Sequence, residues 1–507
     1  MVGAGIGGLS AAVDLAAHGF EVTVVERAPH AGGKLRAEVV GGRAIDAGPT
    51  VLTMRWVFEE MFAEAGRSLD DYAKLERAHV LARHVWPDGS RLDLFADRRR
   101  SAEAIAALSG DAEAQRFRTF MDHAERTYRT VEGPFLRSPR PSFVDLVRHA
   151  GVVGPLSLAR IDAHRTMWRA LASTLRDPRL VQLFGRYATY VGSSPFEAPA
   201  TLNLVAHVEA DGVYRVAGGM VALAAAVERL ARELGVAFRM ATAVEEIEVR
   251  SGRVTAVRTE GGEVYPADAV VSNGDVSALG ERLLGAGVAA AAKSTPRADR
   301  SLSALTWALV ARPKGVALSH HNVFFSEDYA AEFDSMLGER RRVPDDPTVY
   351  VCAQDRGDEA SAAGDPGDER MLVIVNAPAT GDEPERWSNV ERKRCEEVTW
   401  GRLERSGLSL AVSAGVATTP VELARAFPAT GGALYGPRAK GALSSLSRAG
   451  SRCKIAGLYL TGGSVHPGPG VPMATLSGRL AAAAVRQDLA STAPSRMAVT
   501  AGTTSTA

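Results

Sequence analysis

The stretch MVGAGIGG at residues 1–8 decides the fold. Gly3, Gly5 and Gly8 fit the pattern G-x-G-x-x-G, in which a glycine turn joins the first strand of a βαβ unit to its first helix. Such glycines let the backbone turn tightly, let a pyrophosphate approach the main chain, and let helix and strand pack closely. The N–H groups at the start of the helix then bind the pyrophosphate. The pattern alone is also compatible with a flexible glycine-rich arm.

The residues that follow the turn favour the βαβ unit. Residues 9–19 (LSAAVDLAAHG) place apolar side chains on one helical face and end in glycine. Residues 20–25 (FEVTVV) are apolar and β-branched, as expected of a strand buried in a parallel sheet. Glu26 then stands 23 positions after Gly3, where this fold places the carboxylate that binds ribose hydroxyls. The sequence therefore predicts an α/β dinucleotide-binding unit.

The first strand of this unit is short, since only Met1 and Val2 precede Gly3. A strand usually needs about five residues. We expect the start of this sequence to lie a few residues inside the natural protein, the alternative being a naturally short strand.

The composition of the chain limits the classes of protein to which it can belong. The chain has 507 residues, 46% of them hydrophobic and 23% charged, which is typical of a folded protein with two or more domains. Lys and Arg together number 59, as do Asp and Glu, so no positive field attracts nucleic acid. Cys352, Cys395 and Cys453 lie far apart without C-x-x-C spacing. We therefore expect no metal site and no disulfide framework, and the cysteine pattern fits a reducing cytoplasm. No apolar stretch is long enough to span a membrane.

The order of the elements indicates a discontinuous first domain. We predict a Rossmann-type parallel sheet that is discontinuous in sequence, a mixed-sheet substrate domain and a helical insert. The predicted boundaries are 1–67 for the first nucleotide-binding part, 68–205 for the helical, membrane-facing insert, 206–280 for the second nucleotide-binding part, 281–440 for the substrate domain, 441–490 for the third nucleotide-binding part, and 491–507 for a disordered tail.

Four spaced blocks resemble the bacterial carotenoid desaturase family of FAD-dependent flavoproteins. The blocks are GAGIGGLSAAVDLAAHGFEVTVVE at 3–26, AGGK at 31–34, DAGPTVLT at 46–53 and GLYLTGGSVHPGPGVPMATLSGRLAA at 457–482. Within that family, residues 46–66 and VYRVAGGM at 213–220 are most similar to the hydroxycarotenoid 3,4-desaturases, also called methoxyneurosporene dehydrogenases.

The resemblance implies FAD as the cofactor and a divided flavin site. The implied contacts are Gly3, Gly5 and Gly8 with the pyrophosphate, Glu26 with the adenosine ribose, Gly33 and Lys34 with the phosphate side, Gly48, Pro49 and Thr50 with the isoalloxazine, Val244 with the adenine through its backbone, and Gly463, Val471 and Met473 with the ribityl chain and ring. Val244 is equally compatible with a buried strand residue. Because the first strand is short, we expect FAD to bind poorly unless the strand is extended upstream.

Desaturation removes two hydrogens from neighbouring carbons, and a flavin accepts one of them as hydride. Related desaturases contain an Asp-x-x-Arg pair in the helical insert, which Asp145 and Arg148 match. The resemblance thus implies that Asp145 is the acid/base and that Arg148 keeps it ionised or stabilises a flavin charge. An ordinary ion pair on a helix surface is the alternative.

Four further side chains have two interpretations each. His466 lies either near the flavin, in a Gly/Pro-rich loop, or in a structural hydrogen bond. Trp168, Tyr187 and Tyr190 either line an apolar tunnel or pack in a core.

Three functions remain open. The first is desaturation of a lipophilic C40 carotenoid with a hydroxylated or methoxylated end, or of another carotenoid, at the surface of the inner or photosynthetic membrane. The second is oxidation of an amine or porphyrinogen by the same fold. The third is a prenyl-lipid escort without flavin, against which the set Gly3, Gly5, Gly8 and Glu26 argues. The end group, the number of desaturations, the electron acceptor and the oligomeric state stay open.

Overall fold

A parallel sheet assembled from distant parts of the chain forms the first layer. Strand β1 (Thr23–Val25) pairs with β8 (Ala237–Arg239), and β12 (Val270–Ser272) pairs with β18 (Leu458–Leu460), both in parallel. Val2 forms parallel bridges to both β1 and β12, so the order is β8, β1, Val2, β12, β18. The computed structural model describes residues 1–139, 161–357, 367–442, 444 and 447–492.

The N-terminal residues occupy the place of the first strand. The backbone N–H of Val2 donates to the Val271 carbonyl at 2.9 Å, and that of Gly3 donates to the Val25 carbonyl at 2.9 Å. The N–H of Asn273 in turn donates to the Val2 carbonyl at 2.8 Å. The short strand therefore has hydrogen-bond partners on both sides and delivers Gly3 to the carboxyl edge of the sheet.

Helices cover this sheet and bury their apolar faces against it. Helix α1 (Ile6–Ala17) packs between α13 (Val471–Thr492) and α8 (Met220–Glu233). A Cβ on Gly478 of α13 would lie 2.1 Å from the Gly7 carbonyl oxygen, so only glycine permits this helix contact. The helices Ile6–Ala17 and Val471–Thr492, from opposite ends of the described chain, therefore belong to one layer.

The second layer is a seven-stranded sheet. Its order is β17, β13, β16, β15, β14, β5, β6, and its pairs are antiparallel except β14 with β5. The strands are β5 Val80–Val85, β6 Arg91–Phe95, β13 Ser303–Gly315, β14 His321–Phe324, β15 Val349–Ala353, β16 Glu369–Ala377 and β17 Leu408–Thr418. Strands from the range 68–205 thus extend a sheet from the range 281–440.

A helical layer packs on β5, β6 and β14. Its helices are α3 Arg98–Ser109, α4 Asp111–Val131, α5 Met167–Thr174, α6 Pro178–Gly185 and α7 Val205–Asp211. Buried aromatic and aliphatic side chains of this layer meet the strands in one apolar cluster, which includes Trp86, Phe117, Phe184 and Phe325. Gly110, at φ 88°, separates α3 from α4. The helical segment on either side of this glycine is therefore divided into two helices.

Shorter elements connect the layers. They are the hairpin β2 Ala37–Val40 with β3 Arg43–Asp46, the pair β4 Leu75–Arg77 with β7 Tyr214–Val216, the meander β9 Val244–Arg250, β10 Arg253–Thr259 and β11 Val264–Pro266, and the helices α2 Trp56–Glu64, α9 Val276–Gly280, α10 Tyr329–Leu337, α11 Asn389–Arg405 and α12 Pro420–Ala426. The 3₁₀ helices are Leu69–Asp71, Arg186–Val191, Ala200–Leu204, Ala286–Ala291, Arg297–Asp299 and Pro384–Trp387, and a π-helical turn covers Glu132–Leu136.

The predicted fold class is confirmed: a Rossmann-type parallel sheet, discontinuous in sequence, is combined with a mixed sheet and a helical layer. Within the described residues, no helix combines the length and the apolar character that crossing a membrane requires. The domain boundaries stay predictions.

Candidate flavin site

The glycine turn leaves no room for side chains. A Cβ at Gly8 would lie 2.2 Å from the Gly3 carbonyl oxygen, and one at Gly5 would lie 2.6 Å from Nδ2 of Asn273. Gly3 adopts φ 96°, a conformation that glycine tolerates. The turn therefore presents its backbone directly at the amino end of α1, which suits a pyrophosphate.

Glu26 lies beside this turn, as predicted. One carboxylate oxygen accepts the N–H of Ala4 at 2.6 Å, and the other accepts the N–H of Ala28 at 2.8 Å. Each oxygen keeps a further lone pair for a ribose hydroxyl. The Glu26 carbonyl accepts the N–H of Thr242 at 2.8 Å, which brings the half-buried Val244 into the neighbourhood. The adenine contact of Val244 stays a prediction.

The AGGK and DAGPT segments meet the same turn. The N–H of Gly32 donates to the Ala4 carbonyl at 2.9 Å, and a Cβ on Gly33 would lie 3.1 Å from Cα of Gly5. A Cβ on Gly48 would lie only 1.9 Å from the Lys34 carbonyl oxygen. These close backbone approaches explain the glycines, and they bring Pro49 and Thr50 to the same edge.

Two partly buried cations, Lys34 and Arg448, come from segments that the resemblance places at the cofactor or beside it. Lys34 donates to the Leu434 carbonyl, and Arg448 donates to the carbonyls of Tyr435 and Gly463 at 3.0 and 3.1 Å. Burial lowers the pKa of Lys34, and it lowers the pKa of Arg448 to about 10, while Asp275 opposes the shift in both. This local excess of positive charge suits an anionic pyrophosphate. Because the residues present supply a backbone cradle, a ribose acceptor and cations, they fit FAD.

Asn273 and Arg448 were not anticipated from the sequence. Asn273 directly follows β12. A polar residue just after a buried parallel strand lies at the carboxyl edge of the sheet, where such folds bind ligands, and this position could have identified it. Arg448 had no such signal, since its position depends on the distant loop whose carbonyls it binds.

The C-terminal segment completes the site from the other side. Val471 is buried at the start of α13 and shares an apolar cluster with Ile6 and Leu9 of α1. Met473 packs half-buried against that cluster, and Gly463 is bound by Arg448. The structure thus brings the two ends of the predicted site together, whereas the flavin contacts of these residues stay predictions.

Thr50 connects the site to the second sheet. Its hydroxyl forms a 2.8 Å hydrogen bond with the Tyr350 hydroxyl, which lies 2.6 Å from Nδ1 of His321. Thr50 also lines a cavity of about 320 Å³ together with His320 and Cys352.

His320, His321 and Cys352 form a group that could not be predicted from the sequence, because Cys352 meets the two histidines only through the pairing of β14 with β15. One potential metal-ligand atom from each lies within 4.8 Å of the others. Nδ1–H of His320 donates to the Arg356 carbonyl at 2.9 Å, which leaves Nε2 to face the Cys352 thiol at 3.6 Å. Burial raises the pKa of Cys352 to about 12, so the thiol is neutral. The expectation of no metal stays a prediction.

Tyr187 and Tyr190 belong to a buried polar cluster and not simply to an apolar wall. Both hydroxyls donate to Glu209, that of Tyr187 at 2.5 Å. Arg186 lies over both rings, 5.2 and 5.3 Å from their centres. Trp168, by contrast, packs against Phe196 at a ring distance of 4.5 Å, as core packing requires.

His466 has the structural role. Its Nε2–H donates to the Phe135 carbonyl at 2.8 Å, and its ring meets the Phe135 ring edge-on. Burial lowers the pKa of His466 to about 4, so the imidazole is neutral. Asp145 and Arg148 lie outside the described residues, and their roles stay predictions.

The glycine turn, the Glu26 carboxylate beside it and the cations Lys34 and Arg448 have the features of a dinucleotide-cofactor site. The chain belongs to the family described as flavin containing amine oxidoreductase, which it matches over residues 6–486. FAD is its cofactor.

Curated relatives match the whole chain. It is 50% identical to the hydroxyneurosporene desaturase of Rubrivivax gelatinosus, covering 100% of this chain and 96% of the relative. It is 43% identical to the hydroxyneurosporene desaturase of Rhodobacter capsulatus, covering 97% and 98% respectively. Among solved structures, an oxidoreductase from Methanosarcina mazei has the same fold, with a TM-score of 0.61, 17% identity and coverage of 94% and 98%.

Proposed function

We propose that this chain is an FAD-dependent carotenoid desaturase of carotenoid biosynthesis, which introduces the 3,4 double bond into a hydroxylated or methoxylated carotenoid. The observation that carries this proposal is the 50% identity to a hydroxyneurosporene desaturase over essentially both complete chains. The intact cradle around Gly3 and Glu26 supports a redox enzyme over an escort protein without flavin.

The residues of the chain have separable tasks in this reaction. Bound FAD supplies the hydride acceptor. With FAD bound, Lys34 and Arg448 would neutralise the charge of its phosphates, and Glu26 would orient the adenosine ribose. The apolar cluster around Phe117 and Phe184 excludes water from the adjoining layer. The second hydrogen leaves as a proton, which Asp145 accepts, and Arg148 keeps the Asp145 carboxylate ionised before that transfer.

The substrate also suggests where the protein works. A C40 polyene dissolves in membranes, and no helix of the described residues is suited to span one. We therefore infer peripheral binding to the inner or photosynthetic membrane, with the helical layer facing the lipid.

The decisive experiment uses the full chain loaded with FAD and hydroxyneurosporene in liposomes. The expected result is a red-shifted polyene spectrum and a product that has lost two hydrogens. Flavin-loaded protein that leaves the polyene unchanged but oxidises an amine or a porphyrinogen would support the alternative of the same fold. Protein that cannot be loaded with FAD would contradict both.

A further inference from the structure

A buried arginine lies inside the apolar helical layer. Arg186 is 7% exposed, and its Nη1 donates to the Tyr190 hydroxyl at 3.3 Å. Its Nε has no hydrogen-bond partner among the described residues. An unpartnered buried donor costs free energy unless a ligand or water satisfies it. The arrangement therefore offers one N–H to a bound molecule.

Polar side chains of the second sheet face this arginine. His84 of β5 and Tyr350 of β15 both stand opposite Val323 of β14, and His321 lies two residues before Val323. Since side chains alternate along a strand, these three point to one face. Gln182, four residues before Arg186, accepts the indole N–H of Trp86 at 3.1 Å, and the Trp86 ring lies 6.3 Å from the ring of His84. The segment that carries Arg186 therefore packs against that face.

His84 is fixed as a hydrogen-bond acceptor. Its Nδ1 bonds to the Leu92 carbonyl at 3.2 Å, and because a carbonyl only accepts, Nδ1 must carry the proton. Burial lowers the pKa of His84 well below its ordinary value, so the ring is neutral and Nε2 bears a lone pair. Nε2 is buried and unpartnered among the described residues.

The hydrogen-bonded chain Thr50–Tyr350–His321 links this face to the flavin edge. Thr50 belongs to the DAGPT segment, which the family resemblance places at the isoalloxazine. Carbon 1 of the polyene lies two bonds from carbon 3, and a hydroxyl oxygen on carbon 1 lies three bonds from it, so a 3,4-desaturase must bind that hydroxyl close to the flavin. The polar face is thus located where such an end group has to be.

We propose that His84, Arg186 and the Thr50–Tyr350–His321 chain bind the terminal hydroxyl of the carotenoid. A hydroxyl donates one hydrogen bond and accepts others, which matches an acceptor at His84 Nε2 and a donor at Arg186 Nε. This assignment rests on the proposed function. A methoxyl group only accepts, and an unsubstituted end does neither. The site therefore favours hydroxylated over methoxylated ends, and both over unsubstituted ends. We expect the preference for a hydroxylated over an unsubstituted end to be about tenfold or more.

The test compares hydroxyneurosporene with neurosporene in liposomes, using the FAD-loaded full chain. His84→Phe keeps the ring that stacks on Phe325 but removes the acceptor, and Tyr350→Phe removes the linking hydroxyl. Each variant is expected to reduce the kcat/KM ratio of hydroxylated to unsubstituted substrate at least about fivefold, with FAD content unchanged. His79→Phe and Tyr265→Phe, which lie outside this face, are matched controls that keep the ratio.

The outcomes separate the two proposals. Wild-type protein that converts neither polyene contradicts the proposed function itself. Wild-type protein that converts both equally well overturns the end-group site, whether or not the variants fold. An unchanged ratio in folded His84→Phe and Tyr350→Phe overturns it as well.

Discussion

The carboxylate of Glu26 accepts a 2.6 Å hydrogen bond from the N–H of Ala4, inside the glycine turn. Its second oxygen accepts the N–H of Ala28 at 2.8 Å. The side chain that the family resemblance assigns to the ribose therefore also holds the backbone that the same resemblance assigns to the pyrophosphate. We expect substitution of this one residue to affect both parts of the predicted cofactor site.

Glu26→Gln should weaken FAD binding about tenfold. The amide oxygen can replace one acceptor, but the amide NH₂ cannot accept from the second N–H, and bonds to a charged group are worth about 1.5–3 kcal/mol. FAD titration followed by flavin fluorescence measures the effect. Glu21→Gln, at an exposed position on the same segment, is the control. Equal dissociation constants for Glu26→Gln and wild type would contradict the assignment.

Gly8→Ala should abolish flavin loading, whereas Gly274→Ala should not. The new Cβ at position 8 would lie 2.2 Å from the Gly3 carbonyl, so the turn has to open. Gly274 follows Asn273 at the same edge, yet a Cβ there meets nothing within 4 Å. Flavin absorbance of the purified variants decides the comparison. Full flavin content in Gly8→Ala would show that the turn does not hold the cofactor.

The sequence predicted those features that depend on local spacing. The glycine turn and Glu26 are encoded within a few tens of residues, and the apolar, β-branched run at 20–25 marks the strand between them. The close approach of Gly8 to Gly3, and of Gly48 to Lys34, then follows from glycines that the motif already contains.

The polar interior could not be predicted in this way. Arg186, Tyr187 and Tyr190 have helical spacing that is also typical of core packing, and their shared partner Glu209 becomes a neighbour only when the helical layer folds. Arg448 likewise binds carbonyls of a loop without regular structure. Side chains whose role is created by tertiary contacts carry no periodic signal.

Arg448→Met should weaken FAD binding by about tenfold. The FAD binding that remains should depend less on salt concentration than the binding to wild type. Its partly buried guanidinium donates to the Gly463 carbonyl at 3.1 Å, in the segment that the resemblance assigns to the flavin. Loss of this cation removes attraction for the pyrophosphate. Arg452→Met, at a half-exposed arginine paired with Asp488, is the control. Unchanged FAD affinity in Arg448→Met would place the phosphates elsewhere.

Asp145→Asn should slow the polyene spectral shift at least about a hundredfold while leaving the flavin content unchanged, since general acid/base catalysis contributes about 10²–10⁴ in rate. Stopped-flow absorbance of the FAD-loaded variant with hydroxyneurosporene liposomes measures it. Arg148→Lys keeps the charge and should retain more activity than Arg148→Met. Turnover by Asp145→Asn at the wild-type rate would contradict the acid/base role and favour the alternative, an ordinary ion pair with Arg148.

Glu332 should make the protein less stable as the pH rises from about 5 to 8. Its carboxyl group is 2% exposed, and burial raises its pKa from 4.5 to about 7 against hydrogen bonds from Ser326 and Thr348. The folded state therefore holds a proton that the unfolded chain releases above its own pKa, so the stabilisation is complete below about 4.5 and is lost as the pH rises through about 7.

Glu332→Gln tests this relation because the amide resembles the protonated acid. At pH 5 the variant and the wild type should unfold at similar urea concentrations. At pH 8 the variant should be more stable, by up to about 3 kcal/mol, since one pKa unit corresponds to about 1.4 kcal/mol. Glu327→Gln, at an exposed carboxylate, should show no such difference between the two pH values. The same stability difference for Glu332→Gln at both pH values would show that the carboxyl group is ionised throughout, with water or a neighbouring cation compensating its charge.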